Sequence, residues 1–125
     1  MDNKLSIKAF NHVALQISDL KISRLYYSQV LDLHELSPPA FDYPVLWFDL
    51  GEGRELHLIG REPESNWTPI RSNHFALEVD NMTIAEKYLQ EKNIKYLPIK
   101  LRPDGAIQLF LNDPDGHFIE LFQVV

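Results

Sequence analysis

An internal repeat is the feature of this sequence that most constrains its fold. Residues 11–17 are Asn-His-Val-Ala-Leu-Gln-Ile, and 62 residues further on, residues 73–79 are Asn-His-Phe-Ala-Leu-Glu-Val. A later block, residues 47–58, matches residues 110–121, with Gly53 falling on Gly116. Two long copies are too few for a solenoid array, so they indicate one supersecondary unit that has been duplicated.

The same comparison predicts the secondary structure of each copy. Apolar and polar residues alternate along 11–17 and 73–79, as they do in half-buried strands. Each strand is followed by two polar residues that can cap a helix, Ser18-Asp19 and Asp80-Asn81. We therefore predict a helix after each pair. Strands are predicted near residues 8–17, 33–37, 45–50, 55–60, 72–79, 96–99, 107–112 and 118–124.

Together these elements predict an α+β fold, in which two tandem βαβββ modules form curved mixed sheets around a cleft. The modules are expected at about residues 5–62 and 71–125 of a single domain covering residues 1–125. The segment from Arg61 to Ile70 joins them, and its Pro63, Asn66 and Pro69 disfavour regular structure.

Composition narrows the class of function. The 125 residues include no cysteine, which excludes disulfides, thiolate metal sites and cysteine nucleophiles, and agrees with a cytoplasmic location. The net charge is −6 and the 12 basic residues are scattered, so we expect no nucleic-acid partner. The polar N-terminal residues predict neither a secretory signal nor a spanning helix, so we expect no membrane partner.

Strand alternation places four possible metal ligands on the sheet faces opposite the helices. His12 shares its face with Ala14, and His74 occupies the same place in the second copy. His57 and Glu120 also correspond to each other between the copies. Because the repeat relates the two pairs, we expect them to converge in the cleft.

Three imidazoles and one carboxylate suit a divalent Zn, Ni, Co, Mn or Fe ion rather than calcium. Four protein ligands leave two positions of an octahedral shell for neighbouring oxygens of a substrate, whose developing negative charge the metal would stabilise. The other two histidines, His34 and His117, are interpreted as surface residues.

Several segments together resemble the vicinal oxygen chelate superfamily, which includes glyoxalase I, methylmalonyl-CoA epimerase, fosfomycin-resistance thiol transferases, extradiol dioxygenases and bleomycin-resistance proteins. The resemblance covers nearly all of the chain. It is carried by Phe10-Asn11-His12-Val13-Ala14-Leu15 with Asp19, Tyr26-Tyr27 to Leu31-Asp32-Leu33, Asn73-His74-Phe75-Ala76-Leu77, and Asp113-Pro114-Asp115-Gly116-His117-Phe118-Ile119-Glu120.

The resemblance implies paired βαβββ modules whose first and last strands supply the metal ligands, here His12, His57, His74 and Glu120. In the isomerase-like and epimerase-like branches, the position of His57 is often a glutamate that can act as a base. This chain departs from that pattern, since it has a histidine there.

The first hypothesis for activity is a lyase or isomerase similar to glyoxalase I. The metal would bind a hydroxy-carbonyl substrate and stabilise an enediolate while Glu120 moves a proton as the base. His57 would be a metal ligand, a second base or a residue that supports the ligands without binding the metal.

Two alternatives remain open at this point. His12, His74 and Glu120 could form the two-histidine, one-carboxylate triad of an iron-dependent dioxygenase or a manganese-dependent thiol transferase. The chain could instead be a binding protein that sequesters a planar drug, as bleomycin-resistance proteins do. Its groove would then be lined by Phe41, Tyr43, Trp47 and Trp67.

Basic residues and association complete the predictions. Arg61, Arg71, Lys100 and Arg102 are possible contacts for a substrate carboxylate or phosphate, although each is interpreted as a surface charge. The expected partner is a small-molecule substrate, and the resemblance implies a homodimer. The metal ligands could then come from one chain or from two.

Overall fold

The computed structural model describes residues 4–61 and 67–125, and each copy of the repeat forms one mixed sheet with a helix. The first copy contains β1 (His12–Ile17), α1 (Leu20–Leu25), a π-helical turn (Tyr26–Val30), β2 (Glu35–Leu36), β3 (Val45–Gly51) and β4 (Arg54–Gly60). The second contains β5 (His74–Glu78), α2 (Met82–Glu91), β6 (Lys100–Leu101), β7 (Ile107–Asn112) and β8 (Phe118–Gln123).

The two sheets have the same strand order, which confirms the predicted α+β fold of paired βαβββ modules. The orders are β1-β4-β3-β2 and β5-β8-β7-β6. In each sheet the first strand pairs in parallel with the last, and the remaining pairs are antiparallel. The registers also match between the sheets, because Ala14 lies opposite His57 and Ala76 lies opposite Glu120.

Both predicted helix starts are confirmed. The Asp19 carboxylate accepts a hydrogen bond from the backbone N–H of Ile22 at 3.0 Å, and Asn81 Oδ1 accepts one from Ile84 at 2.9 Å. Each cap satisfies an amide that has no partner within its own helix. Within the described part of the chain, no helix has the length and apolar character needed to cross a membrane.

Two predicted strand ranges are wrong. Residues 96–99 form no strand, since Pro98 lacks the N–H that a ladder needs, and the short β6 lies at Lys100–Leu101 instead. The first strand begins at His12 rather than at residue 8, because residues 8–11 form no strand. Of the joining segment, residues 62–66, which include Pro63 and Asn66, lie outside the described residues.

The two modules share one hydrophobic core. Buried side chains of β1, the π-helical turn, β3 and β4 pack with those of α2, β7 and β8, and Phe48, Leu56 and Ile119 are fully buried there. These residues lie on the helix-facing side of their strands, as the alternation predicted.

Polar contacts join the modules at the turn between β7 and β8. The buried Tyr27 hydroxyl donates to Asp113 Oδ2 at 2.7 Å, and the Ser18 amide donates to the Asp115 carboxylate at 3.1 Å. His117 Nε2 donates to the Gln16 carbonyl oxygen at 2.6 Å. The interpretation of His117 as a surface residue is therefore wrong: it is half-buried and ties β8 to β1. His34 is exposed, as predicted.

Candidate metal centre

The first ligand pair lies on neighbouring parallel strands. His12 is on β1 and His57 on β4, and their rings stack with centroids 4.0 Å apart and an interplanar angle of 18°. Trp47 on β3 stacks on the other face of His57, at 3.8 Å and 2°. The His57 ring is thus held between two flat partners, and its side chain is only 12% exposed.

Hydrogen bonds decide which nitrogen of each ring is available to a cation. His12 Nδ1 lies 2.7 Å from Asn11 Oδ1, and His57 Nε2 lies 2.9 Å from Glu55 Oε1. Both oxygens accept hydrogen bonds, so both of these ring nitrogens donate. His12 Nε2 and His57 Nδ1 are the nitrogens left to coordinate when the rings are neutral. A ligand histidine that donates from its other nitrogen is the usual arrangement around protein-bound metals.

The second pair lies at the corresponding positions of the other sheet. His74 Nε2 is 3.0 Å from Glu120 Oε1, and His74 Nδ1 donates to the Arg71 carbonyl oxygen at 2.7 Å. A neutral His74 therefore directs the lone pair of Nε2 at a carboxylate, an arrangement that either a proton or a metal ion between the two atoms would satisfy. This contact is the clearest indication that the pair suits a cation.

Glu120 is the most enclosed of the four predicted ligands. Its residue is 6% exposed, and it lies between Ile119 and Leu121, whose side chains point into the core. The second carboxylate oxygen, Oε2, accepts a hydrogen bond from Arg102 Nη1 at 3.2 Å, while Arg102 Nη2 also contacts Asp104. A buried carboxylate costs free energy unless it is paired, and here His74 and Arg102 provide the pairing.

The four side chains form two pairs rather than one cluster. Among residues 4–61 and 67–125, no three His, Cys, Asp or Glu side chains come close enough to hold one metal ion. The donor types and the free nitrogens nevertheless fit a divalent cation. Binding with all four ligands requires the pairs to approach each other.

Three neighbouring pockets lie beside the two pairs. One pocket of about 390 Å³ contains His12, Ala14 and His57, and a central pocket of about 620 Å³ contains Ala14 and His74. A third, of about 490 Å³, also contains His74. Since each pocket shares a lining residue with the next, they form one groove, which is lined by His12, His57 and His74 but not by Glu120.

The aromatic lining predicted for a drug-binding groove is found in part. The Phe41 ring lies 5.1 Å from Tyr43 and 6.0 Å from Trp47, so these three residues form one end of the groove. Trp67 lies elsewhere, in the central pocket, where its ring contacts His117.

Sequence reasoning missed the hydrogen-bond partners of the predicted ligands. Glu55 holds His57, Asn11 holds His12, and Arg102 neutralises Glu120. Only Asn11 carried a sequence signal, because it recurs as Asn73 in the second copy. Arg102 had been assigned to the surface, and its pairing with Glu120 depends on a contact that the repeat does not reveal.

Comparison with known proteins agrees with this fold. The family model for the Glyoxalase/Bleomycin resistance protein/Dioxygenase superfamily matches residues 9–121. The chain is 31% identical to Glyoxylase I 4 of Arabidopsis thaliana, over 95% of this chain and 72% of that protein. It is 31% identical to the mitochondrial methylmalonyl-CoA epimerase of Bos taurus, over 90% of this chain and 73% of that one.

A solved structure shows how closely the fold is shared. TnmS3, an antibiotic binding protein from Streptomyces sp. CB03234, superposes with a TM-score of 0.80 over 98% of this chain and 100% of its own, at 22% identity. The duplicated βαβββ topology and the family match over residues 9–121 lead to one conclusion. The chain belongs to the Glyoxalase/Bleomycin resistance protein/Dioxygenase superfamily.

Proposed function

We propose that this protein is a metal-dependent lyase or isomerase similar to glyoxalase I, acting on a small hydroxy-carbonyl substrate. His12, His57, His74 and Glu120 are the proposed ligands of a divalent Zn, Ni, Co, Mn or Fe ion. The observation that carries the proposal is the contact between His74 Nε2 and the buried Glu120 carboxylate. His74 lines the same groove as the other pair.

In this proposal Glu120 is the base. Its Oε1 contacts His74, which lines the groove, while Arg102 donates to Oε2. Release of Oε1 would let the carboxylate take a proton from the carbon beside the substrate carbonyl and return it to the neighbouring carbon. A bound metal ion would stabilise the negative charge that develops on the two substrate oxygens. His57, fixed between His12 and Trp47, would hold its side of the substrate in place.

The first test is metal content. Elemental analysis of protein purified without chelator should find about one divalent ion per chain, and a His12→Ala/His74→Ala variant should lose it. His34→Ala is the matched control, since His34 is exposed and lies outside the groove. Equal metal content in all three proteins would contradict the proposed ligands.

The second test is proton exchange. In deuterated water, the metal-loaded protein should exchange the carbon-bound proton of a hydroxy-carbonyl compound such as hydroxyacetone, monitored by proton NMR. Glu120→Gln should slow this exchange by about 10²–10⁴-fold, the usual contribution of a positioned base. Unchanged exchange in this variant would exclude Glu120 as the base.

A binding function is the second candidate, and one observation favours it. Phe41, Tyr43 and Trp47 form an aromatic end of the groove that could stack on a planar ligand. Tight quenching of tryptophan fluorescence by a planar aromatic compound, lost in Trp47→Leu, together with the absence of metal, would support binding over catalysis.

We further propose a homodimer in which each chain supplies all four ligands of its own site, since adjoining pockets of one chain are lined by both residues of the first pair and by His74 of the second. Sedimentation should give twice the chain mass. Mixing His12→Ala and Glu120→Ala proteins should then restore no exchange activity, because no chain keeps a complete site. Recovery of activity on mixing would show that sites are shared between subunits.

A further inference from the structure

We infer that the pocket over the second sheet binds the carboxylate or phosphate group of the substrate. This inference rests on the proposed function and specifies its substrate class, an oxoacid whose anionic group lies close to the reacting carbon. The pocket holds about 490 Å³ and is lined by Arg71, Ser72, His74, Lys100, Gln108 and Phe110.

The charge of this pocket is opposite to that of the chain. The protein carries a net charge of −6, yet the pocket lining contains two cations and no carboxylate. Ser72 and Gln108 add neutral hydrogen-bond donors. A cationic concavity on an acidic protein attracts anions selectively, because the surrounding surface repels them.

The two basic side chains of this pocket, Arg71 and Lys100, have defined positions on the second sheet. The Arg71 guanidinium lies over the Phe110 ring, 5.8 Å from its centroid, and Phe110 is 9% exposed in β7. Lys100 pairs directly with Gln108 across β6 and β7, so their side chains share one face of the sheet. An oxoanion between Arg71 and Lys100 could therefore meet both charges at once.

The repeat shows that this chemistry is confined to one copy. Gln108 and Phe110 of β7 correspond in register to Val45 and Trp47 of β3. The lining of the pocket over the first sheet combines aromatic residues with His12, His57 and Glu55, and it contains neither lysine nor arginine. One scaffold thus has two ends of different chemistry: a cationic, anion-binding subsite over the second sheet and a subsite with aromatic residues over the first. The orientation of a substrate in the groove would follow from that difference.

The anion-binding subsite adjoins the proposed reacting centre. His74 lines this pocket, and its Nε2 is 3.0 Å from Glu120 Oε1. Arg102 is next to the same carboxylate but is already paired with Glu120 and Asp104. Arg71 and Lys100 are therefore the residues that we assign to the substrate anion.

The test is a titration of the metal-free protein with inorganic phosphate and, separately, with acetate, followed by two-dimensional amide NMR. Saturable binding in the millimolar range is expected, with shifts centred on residues 71–74, 100 and 108. Arg71→Gln/Lys100→Gln should weaken it at least about tenfold. The control Lys21→Gln/Lys87→Gln changes the charge equally at exposed positions on α1 and α2 and should leave the affinity unchanged.

The two probes identify the anion, since tighter binding of phosphate or of acetate indicates a phosphate or a carboxylate substrate. Equal weakening in both double variants, or no saturation by either probe, would overturn the inference. Metal content is measured on the same proteins and should not change in Arg71→Gln/Lys100→Gln. If the native chain takes up no metal but still binds phosphate at these residues, the proposed function fails and the anion site stands.

Discussion

Two adjacent tyrosines allow the contribution of one buried hydrogen bond between the modules to be measured against a matched control. The Tyr27 hydroxyl donates to Asp113 Oδ2 at 2.7 Å, and Tyr27 is fully buried while Asp113 is 5% exposed. The Tyr26 hydroxyl is also buried, but among the described residues it has no hydrogen-bond partner. Tyr27→Phe therefore removes a buried hydroxyl that is hydrogen-bonded, whereas Tyr26→Phe removes a buried hydroxyl that is not.

We expect Tyr27→Phe to lower the free energy of unfolding by about 2–3 kcal/mol, because it removes a hydrogen bond to a buried carboxylate. Asp113 Oδ1 keeps its bonds from the amides of Asp115 and His117, but Oδ2 loses its only side-chain donor among the described residues. For a chain of this size the loss corresponds to a fall in Tm of roughly 6–12 °C. Tyr26→Phe should leave stability unchanged or raise it by about 1 kcal/mol, since it deletes an unsatisfied buried hydroxyl.

The effect of Tyr27→Phe should depend on pH. Burial raises the pKa of Asp113, and the hydrogen bond from Tyr27 partly offsets that rise. A raised pKa in the folded state means that this carboxyl contributes stability at low pH and loses it as pH rises through the folded pKa. Removing the Tyr27 hydroxyl raises the pKa of Asp113 further, so the destabilisation should grow with pH and be largest near neutrality.

Urea denaturation followed by circular dichroism, at pH values on both sides of the Asp113 titration, measures these differences. The Tyr27→Phe/Asp113→Asn double-mutant cycle separates the pair from its surroundings. Equal losses in Tyr26→Phe and Tyr27→Phe, or a Tyr27→Phe loss that does not change with pH, would refute the reasoning.

Two further predictions concern the ligand carboxylate and the repeated turn. Arg102→Gln should tighten zinc binding by the metal-free protein about tenfold, because it removes a cation that competes for Glu120 Oε2. Calorimetry measures this affinity, and unchanged or weaker binding would mean that Arg102 only orients the carboxylate. Gly116→Ala should lower the free energy of unfolding by about 2–3 kcal/mol, and Gly53→Ala should lower it by only about 1 kcal/mol. Both glycines have positive φ, so either substitution strains the backbone. Of these two positions, only at Gly116 would the new methyl group meet another residue, at 2.9 Å from Pro69 Cγ. Equal losses in urea denaturation would contradict the steric part of this prediction.

Much of the fold could be predicted because its signals are local or repeated. Strand alternation set the sides of β1 and β5, and the polar residues before α1 and α2 identified both helix starts, since an N-cap acts within three residues of itself. Predictions were weaker where a single residue decided the outcome, as at Pro98, or where only the tertiary pairing sets the end of a strand, as at the start of β1.

The duplication of the fold, and the equivalence of His12 with His74 and of His57 with Glu120, can be read from the sequence because the residue pattern repeats. The hydrogen-bond partners of those side chains become visible only in the folded chain. Glu55 holds one nitrogen of His57, and Arg102 closes on Glu120. His117, which the sequence left on the surface, joins the two modules. Each of these contacts depends on the geometry of side chains brought together across strands and turns, which alternation and spacing alone do not specify.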